Sequence, residues 1–179
     1  MARFGMVIDT TKCVGCMDCV VACKTENGVP EGYSRDWIEQ DVRGTYPTLT
    51  MEIRSERCNQ CSNPPCVSCC PTGASHVHEI GGVVLVTKDE CIGCKACVAS
   101  CPYDARFIHP EGYADKCTFC IHRVEKGLDP ACVSVCPTHC MTFGDLEDPQ
   151  SEVGKLLSSR KNHSLMPEAG MQPNIFYLS

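Results

Sequence analysis

Hydrophobic and polar residues alternate along several short segments of the chain, and most of these segments lead into closely spaced cysteines. Residues 3–9 have the period of a strand, and residues 51–55 and 83–87 are further strand candidates. Residues 141–144 follow the last cysteines in the same way, and residues 19–24 have the pattern of a short helix. Strands, loops and short helices that repeat in this order predict an α+β fold.

Two stretches without cysteine have different patterns. Residues 28–47, which include Trp37, link two groups of cysteines, and we expect irregular surface structure there. In residues 148–179 three prolines break up the segment, a short helix is predicted over 151–159, and the rest forms an extended tail that ends in the apolar residues 175–178. The tail is either a frayed terminus or a segment that docks on this protein or on a partner.

Sixteen of the eighteen cysteines fall into four runs, and each run ends with a C-x-x-x-C step. The last cysteine of the second, third and fourth runs is followed directly by proline, whereas the first run ends with Cys23 and Lys24. The four runs are Cys13, Cys16, Cys19, Cys23; Cys58, Cys61, Cys66, Cys70; Cys91, Cys94, Cys97, Cys101; and Cys117, Cys120, Cys132, Cys136.

The spacing C-x2-C-x2-C-x3-C of the first and third runs is the bacterial ferredoxin signature for [4Fe-4S] clusters, in which the fourth cysteine ligates the neighbouring cluster. A tight loop wraps three corners of a cubane, and the fourth corner comes from elsewhere. Insertions at residues 62–65 and 121–131 lengthen the loops of the other two runs without removing a ligand. Sixteen thiolates therefore predict four [4Fe-4S] clusters, in two ferredoxin-like halves that bind two clusters each.

Zinc and disulfides are the other common uses of such cysteines. Structural zinc takes two separated C-x-x-C pairs per site and does not use a third cysteine three residues further on. A disulfide framework suits a short, cysteine-rich secreted chain, but such chains carry a signal peptide and vary their spacings. The iron–sulfur interpretation is therefore favoured, and the brown colour of the protein would distinguish it.

The composition fits a protein whose fold depends on its cofactors. The chain has five Phe, five Tyr and one Trp, and much of its 43% hydrophobic content is cysteine. We therefore expect the apo chain to be largely unfolded. The net charge of −6 and the pI near 5.5 provide no basic field for nucleic acid. No apolar run approaches the roughly 20 residues that span a bilayer, and residues 1–9 lack the features of a signal peptide.

Motifs along nearly the whole chain resemble those of the four-cluster electron-transfer subunits of the DMSO reductase family of molybdopterin oxidoreductases. The tail is similar to the ends of subunits from polysulfide, thiosulfate and arsenate respiratory reductases. The motifs are Gly5-Met6-Val7-Ile8-Asp9, Lys12-Cys13-Val14-Gly15-Cys16, Cys58-Asn59-Gln60-Cys61 with Pro65-Cys66, Cys91-Ile92-Gly93-Cys94-Lys95, Cys101-Pro102-Tyr103, Lys116-Cys117-Thr118-Phe119-Cys120, and Pro167-Glu168-Ala169-Gly170 with Phe176-Tyr177.

The resemblance implies a subunit that carries electrons between a molybdopterin-containing catalytic subunit and an integral-membrane, quinone-reactive subunit, in a reductase of the polysulfide, thiosulfate or arsenate type. It implies export to the periplasmic side together with the catalytic subunit, although some relatives are cytoplasmic. No catalytic residue is expected, and the chain has no nucleophile with a paired base and no flavin fingerprint. One alternative is a subunit of a formate dehydrogenase or hydrogenase. An alternative of another class is an iron–sulfur or zinc scaffold or sensor without electron transfer.

The resemblance also implies a nested pairing of the runs, outer with outer and inner with inner. Spacing alone leaves a sequential pairing open, first with second and third with fourth. We assign no iron to Cys69 or Cys140, since Cys70 completes the C-x-x-x-C step before a proline. The implied ligand sets are Cys13, Cys16, Cys19 with Cys136; Cys117, Cys120, Cys132 with Cys23; Cys58, Cys61, Cys66 with Cys101; and Cys91, Cys94, Cys97 with Cys70.

Nesting divides the sequence into an outer half of residues 1–48 and 105–147, an inner half of residues 49–104, and the tail of residues 148–179, which is a candidate for docking on a partner. Positive charge on the basic residues beside the runs would favour the reduced form of the clusters. The alternative for each of these residues is that it is an ordinary solvated side chain at the surface. They are Lys12, Lys24, Lys95, Arg106, Lys116 and Arg123.

Overall fold

The computed structural model of the protein describes residues 2–179. Within these residues the strands are β1 (Phe4–Asp9), β2 (Asp36–Arg43), β3 (Thr50–Arg57), β4 (Ser75–Val77), β5 (Val84–Val86), β6 (Phe107–Ile108), β7 (Ala114–Asp115), β8 (Met141–Asp145), β9 (Asn162–His163) and β10 (Ile175–Leu178). The α-helices are α1 (Asp18–Asn27), α2 (Pro65–Ser68), α3 (Ala96–Ala99), α4 (Ile121–Val124), α5 (Ala131–Ser134) and α6 (Glu152–Ser159). This mixture of short helices and strands is the α+β arrangement that the sequence predicts.

A four-stranded sheet of order β8-β1-β10-β9 joins the two ends of the chain. The central strand β1 pairs antiparallel with β8, where Met6 lies opposite Phe143, and parallel with β10, where Met6 lies opposite Ile175. One face of β1 points Met6 and Ile8 into the largest apolar cluster, which also contains cysteines. The other face packs Val7 against α6. Because both faces of β1 are covered, its sequence is a continuous apolar run and does not alternate with polar residues.

Strands β2 and β3 form a long hairpin, so the prediction of irregular structure over residues 28–47 is wrong. The two strands pair from Asp36 opposite Arg57 at the base to Arg43 opposite Thr50 near the tip. Asp36 and Arg57 are buried, whereas the residues near the tip are mostly exposed. A strand that buries few residues has little alternating apolar signal, and its pairing with β3 is decided by contacts that are not local in sequence.

Two small hairpins enclose the cysteines in the middle of the sequence. Strand β4 pairs with β5, and β6 pairs with β7. Their residues Val84 and Ala114 form a second apolar cluster with Cys66 of α2 and Cys97 of α3. This cluster is small and half of its buried residues are cysteines, in agreement with the prediction that the fold depends on its cofactors.

The C-terminal segment is folded onto the sheet, which agrees with the interpretation that the tail docks on this protein. Ser151 caps α6 by accepting a hydrogen bond from the Gly154 N–H at 2.9 Å, and the predicted helix is present. Strand β10 is inserted between β1 and β9, and its residues Tyr177 and Leu178 are fully buried. The frayed-terminus interpretation is therefore wrong for residues 175–178. No helix within residues 2–179 has the length and apolarity needed to cross a membrane.

Candidate metal centres

The four cysteine loops share one backbone feature. In each loop the residue directly before the second cysteine has a left-handed conformation: Gly15 (φ 68°), Gln60 (φ 47°), Gly93 (φ 65°) and Phe119 (φ 51°). A left-handed residue after right-handed or extended ones turns successive N–H groups toward the inside of a loop, where they form a site for an anion. The four loops are thus four versions of one anion-binding turn, although only two of them use glycine.

Twelve of the sixteen motif cysteines line three cavities. Each cavity combines three cysteines of one run with the last cysteine of another run. Site 2 is lined by Cys117, Cys120, Cys132 and Cys23; site 3 by Cys58, Cys61, Cys66 and Cys101; and site 4 by Cys91, Cys94, Cys97 and Cys70.

The remaining four motif cysteines, which we call site 1, are Cys13, Cys16, Cys19 and Cys136. Cys19 and Cys136 are buried in the large apolar cluster, and Cys13 packs against the same cluster. Helix α1, which carries Cys19, packs on α5, which ends just before Cys136. Cys16 is exposed. The structure therefore brings three of these cysteines into one neighbourhood and places the fourth at the surface.

The spread of the thiols in sites 2 to 4 fits a polynuclear cluster. A single zinc ion would hold four sulfurs at about 2.3 Å from one point. Residues 2–179 contain no group of three or more His, Cys, Asp or Glu side chains placed to hold one metal ion. In each of sites 2 to 4 the four thiols instead surround a shared cavity. A [4Fe-4S] cubane binds four separated thiolates of this kind.

Backbone N–H groups point at several of the sulfurs. The N–H groups of Ser75, Ala114, Phe119 and Cys140 each lie 3.4 Å from a cysteine sulfur. Such donors stabilise negative charge on the sulfur and are among the factors that set cluster potentials. The acceptors are, in the same order, Cys70, Cys91, Cys117 and Cys136.

Burial raises the pKa of several of these thiols. The pKa of Cys19, of Cys23 and of Cys61 is raised to about 12, in each case mainly because burial disfavours the thiolate. At Cys70, which is more open, hydrogen bonds led by that from the Ser75 N–H lower the pKa. Buried thiols of this kind hold their protons at neutral pH until a metal displaces them, so that cluster binding releases protons.

Arg57 is a buried cation at site 2 that the cysteine motifs did not reveal. Its Nη1 donates to the Cys132 sulfur at 2.9 Å, and its Nη2 lies 3.1 Å from Asp36 Oδ2. Its Nε has no hydrogen-bond partner among the described residues, and Arg57 lines the cavity of site 2. A spare N–H beside the cavity is a suitable donor to a cluster sulfide. The sequence feature that could have identified Arg57 is its position directly before Cys58, which matches the position of Lys116 before Cys117.

Arg106 has the corresponding role at site 3. Its Nη2 donates to the Cys66 sulfur at 2.9 Å and to Ser75 Oγ at 3.0 Å. Its buried Nη1 has no partner among residues 2–179, and the side chain lines the cavity. Two cavities thus carry an unpaired guanidinium N–H beside the sulfurs, which fits an anionic cluster as the missing acceptor.

The other basic residues near the runs have different environments. Lys116 is buried, and its Nζ donates to the carbonyl of Cys117 at 2.8 Å and to the carbonyl of Val84. Burial lowers the pKa of Lys116. The remaining four are not buried, and three of them have structural partners: Lys12 lies 3.9 Å from Asp9, Lys24 donates to a backbone carbonyl and Arg123 pairs with Glu26 at 3.0 Å. The four are Lys12, Lys24, Lys95 and Arg123.

The two surplus cysteines lie in contrasting places. Cys69 is exposed, with its sulfur 3.4 Å from Ser100 Oγ. Cys140 is buried, and its sulfur lies 3.4 Å from that of Cys136. Neither lines the cavities of sites 2 to 4.

Cavities lined by four thiols, with N–H donors and buried cations beside the sulfurs, define an iron–sulfur protein. The comparison with known families gives the type of cluster. A 4Fe-4S dicluster domain model matches residues 49–146, and a second 4Fe-4S dicluster domain model matches residues 12–74. The protein belongs to the 4Fe-4S dicluster family and binds [4Fe-4S] clusters, and four clusters fit two dicluster domains.

Known components of respiratory reductases are similar to almost the entire sequence. A polysulfide reductase component from Wolinella succinogenes is 42% identical over 178 residues, which are 97% of this chain and 93% of that protein. A tetrathionate reductase component from Salmonella typhimurium is 43% identical over 181 residues, which cover 98% of this chain and 72% of that protein. The arsenate respiratory reductase iron–sulfur subunit ArrB of Shewanella sp. is 37% identical over 225 residues, which cover 98% of this chain and 96% of that protein. The predicted class, an iron–sulfur electron-transfer subunit, is therefore confirmed.

Proposed function

We propose that the protein carries electrons through four [4Fe-4S] clusters, from a membrane quinone-reactive subunit to a molybdopterin-containing catalytic subunit that reduces an inorganic sulfur compound or arsenate. One observation carries the proposal. The cysteines of sites 2 and 3 are buried, apart from a half-buried Cys101, whereas site 1 and site 4 each have an exposed cysteine, Cys16 and Cys94. Insulated central clusters between two clusters that reach the surface are what a conductor between two partners requires.

The nested ligand sets are part of this proposal. The cavity that contains Cys70 is otherwise lined by the third run, and the cavity that contains Cys23 is otherwise lined by the fourth run. Both observations support nesting over sequential pairing. For site 1, the burial of Cys136 in the cluster that contains Cys19 supports the same scheme.

We propose the corresponding division into halves. Residues 1–48 and 105–147 hold sites 1 and 2, and residues 49–104 hold sites 3 and 4. The pairing of β1 with β8 supports this division, since it brings the beginning and the end of the outer half together. Residues 148–179 complete the sheet through β10, which leaves their surface as a candidate contact for a partner.

The names of the relatives support the proposed substrate class. The three similar proteins named above belong by name to polysulfide, tetrathionate and arsenate reductases. We propose a catalytic partner of the same type. We also propose that the protein is held at the membrane by its partner and lies on the periplasmic side after export with the catalytic subunit. Cell fractionation with and without the catalytic subunit tests the location, and periplasmic protein in its absence would exclude co-export.

The test of function uses the complex as it exists in the cell. The tagged protein is purified anaerobically with its associated subunits, the clusters are reduced with a quinol, and their absorbance is followed after adding a possible oxidant. Polysulfide, tetrathionate, thiosulfate or arsenate should reoxidise the clusters. If formate reduces the oxidised clusters while none of the four compounds reoxidises the reduced ones, the direction of electron flow is opposite and the proposal is wrong.

A further inference from the structure

Three basic side chains are buried among the cysteines. The exposed fractions are 1% for Arg57, 1% for Lys116 and 4% for Arg106. Lys and Arg are almost never fully buried unless they are paired, so three in a chain of this size require an explanation. Each of them lies between two neighbouring sulfur sites, and together they occupy the three junctions of the series from site 1 to site 4.

Arg106 lies at the junction of sites 3 and 4. It donates to the sulfur of Cys66 in site 3 at 2.9 Å. It lines the cavity of site 3 together with Cys58, and its charge also interacts with Cys97 of site 4. Helix α2, which carries Cys66, packs against α3, which carries Cys97, so the guanidinium is enclosed where the two sites meet.

Lys116 lies at the junction of sites 2 and 3. Its ammonium donates to the carbonyl of Cys117, a cysteine of site 2, at 2.8 Å. Its electrostatic neighbours include Cys58 and Cys66 of site 3 together with Cys117. The same junction is closed by Gln60, whose Nε2 donates to the carbonyl of Cys117 at 2.7 Å.

Arg57 lies at the junction of sites 1 and 2. It donates to the sulfur of Cys132 in site 2 at 2.9 Å. Its electrostatic neighbours among the cysteines are Cys132 and Cys117 of site 2 and Cys19 of site 1. Unlike the other two cations, Arg57 has a carboxylate partner, since its Nη2 lies 3.1 Å from the buried Asp36.

We propose that Arg106, Lys116 and Arg57 are positioning residues for electron transfer, each of which raises the reduction potentials of the two clusters that flank it. A cluster gains one negative charge when it accepts an electron from its neighbour. A cation fixed beside both clusters stabilises that charge, and it does so more strongly in the interior than in water. The same cation weakens the repulsion between two reduced neighbours, so that adjacent clusters hold electrons at the same time.

The three cations are not equivalent. Arg57 is paired with the buried carboxylate of Asp36, whereas neither Lys116 nor Arg106 forms an ion pair with a carboxylate within residues 2–179. Lys116 and Arg106 should therefore have the larger effect on potential, and Arg57 the smaller. This inference rests on the proposed function and on the nested ligand sets.

The decisive variant is Lys116→Gln, which removes the charge and keeps an N–H donor for the two carbonyls. Redox titration followed by EPR measures the four midpoint potentials, with signals assigned through ligand variants. We expect the clusters of sites 2 and 3 to shift to more negative potentials, and those of sites 1 and 4 to shift less. Lys116→Arg, which keeps the charge, should restore potentials close to those of the unmodified protein.

Lys12→Gln is the matched control. Lys12 also precedes the first cysteine of a run directly, but its side chain is 55% exposed. It should leave all four potentials unchanged. Equal shifts in Lys116→Gln and Lys12→Gln, or no shift in a Lys116→Gln protein with full iron content, would overturn the inference.

Arg106→Gln tests the proposed effect on the reduction potentials if the Lys116→Gln protein does not assemble its clusters. Its expected result is a negative shift confined to sites 3 and 4, and potentials that stay unchanged at both sites would reject the inference. The proposed function is tested by a different result: it is wrong if the clusters of the unmodified protein accept no electrons from a quinol in the complex.

Discussion

The hydroxyl of Tyr177, in the last strand of the sheet, donates a hydrogen bond to the carbonyl of Ser55 at 3.3 Å. Ser55 in turn donates to the buried Asp36 at 2.6 Å, and its hydroxyl lies 3.6 Å from the sulfur of Cys19. The C-terminal strand is thereby connected through two residues to a cysteine of site 1 and to the carboxylate that pairs with Arg57. Strand β10 supports the metal centres as well as the sheet.

Truncation of Tyr177 should destabilise the protein and its outer clusters together. Replacing a buried aromatic residue by alanine costs about 3–5 kcal/mol, whereas Tyr177→Phe loses one hydrogen bond and about 1 kcal/mol. The loss of cluster absorbance on heating measures the effect. Tyr46→Phe is the matched control, because Tyr46 is 88% exposed and should leave the transition unchanged. A Tyr177→Ala protein as stable as the control would show that β10 does not support the sites.

Iron content tests the number of clusters. Sixteen motif cysteines predict about sixteen iron atoms and as many sulfide ions per chain in protein prepared without oxygen. Removal of the iron by a chelator should unfold the chain, because its apolar core is thin and each cluster joins distant segments. Iron analysis and circular dichroism provide the measurements. Near eight iron atoms, bound zinc, or a folded apo chain would contradict this prediction.

Cys23→Ser distinguishes nested from sequential pairing. Cys23 lines the cavity of site 2 with three cysteines of the fourth run. The variant should therefore alter the cluster held by Cys117, Cys120 and Cys132, as seen by EPR or in an experimental structure. A perturbed cluster on the second run would support sequential pairing instead.

The surplus cysteines should not be ligands. Cys69→Ser and Cys140→Ser are both expected to keep the full iron content, since the four runs already supply sixteen ligands for four clusters. Cys69→Ser should also leave stability unchanged because the side chain is exposed. Cys140→Ser should lower stability by about 1–3 kcal/mol, because it places a hydroxyl in an apolar environment. Loss of a cluster from either variant would mean that the ligand assignment is wrong.

Cluster stability should increase with pH below the pKa of the free thiols. In the unfolded apo chain the thiols are protonated below their ordinary pKa of 9.0, whereas in the cluster-bound protein they are thiolates that ligate iron. The cluster-bound form therefore carries fewer protons than the apo form, and its stability rises with pH in this range. Chelator titrations across the neutral range measure the trend, and cluster retention that improves as the pH falls would refute it.

The structural elements differ in how far the sequence predicts them. The strands at residues 4–9, 50–57, 84–86 and 141–145 and the helix at 152–159 were all predicted, because their alternation, capping and turn signals are local. Strand β2 was missed, because half of its residues are exposed and its partner lies across a hairpin. Strand β10 was missed as part of the sheet because it pairs with residues near the opposite end of the chain.

The metal chemistry is determined by the sequence itself. The four runs, two of them with the full ferredoxin spacing, specify how many thiolates there are and which three share a loop, because closely spaced cysteines are a property of the local sequence. Only the tertiary structure decides which fourth cysteine faces each cavity and which cations are buried between the sites. Arg57 and Lys12 both precede a cysteine run, yet one is enclosed beside Asp36 and the other is exposed. That difference arises from long-range packing of β2, β3 and β10, since burial depends on residues far away in the sequence.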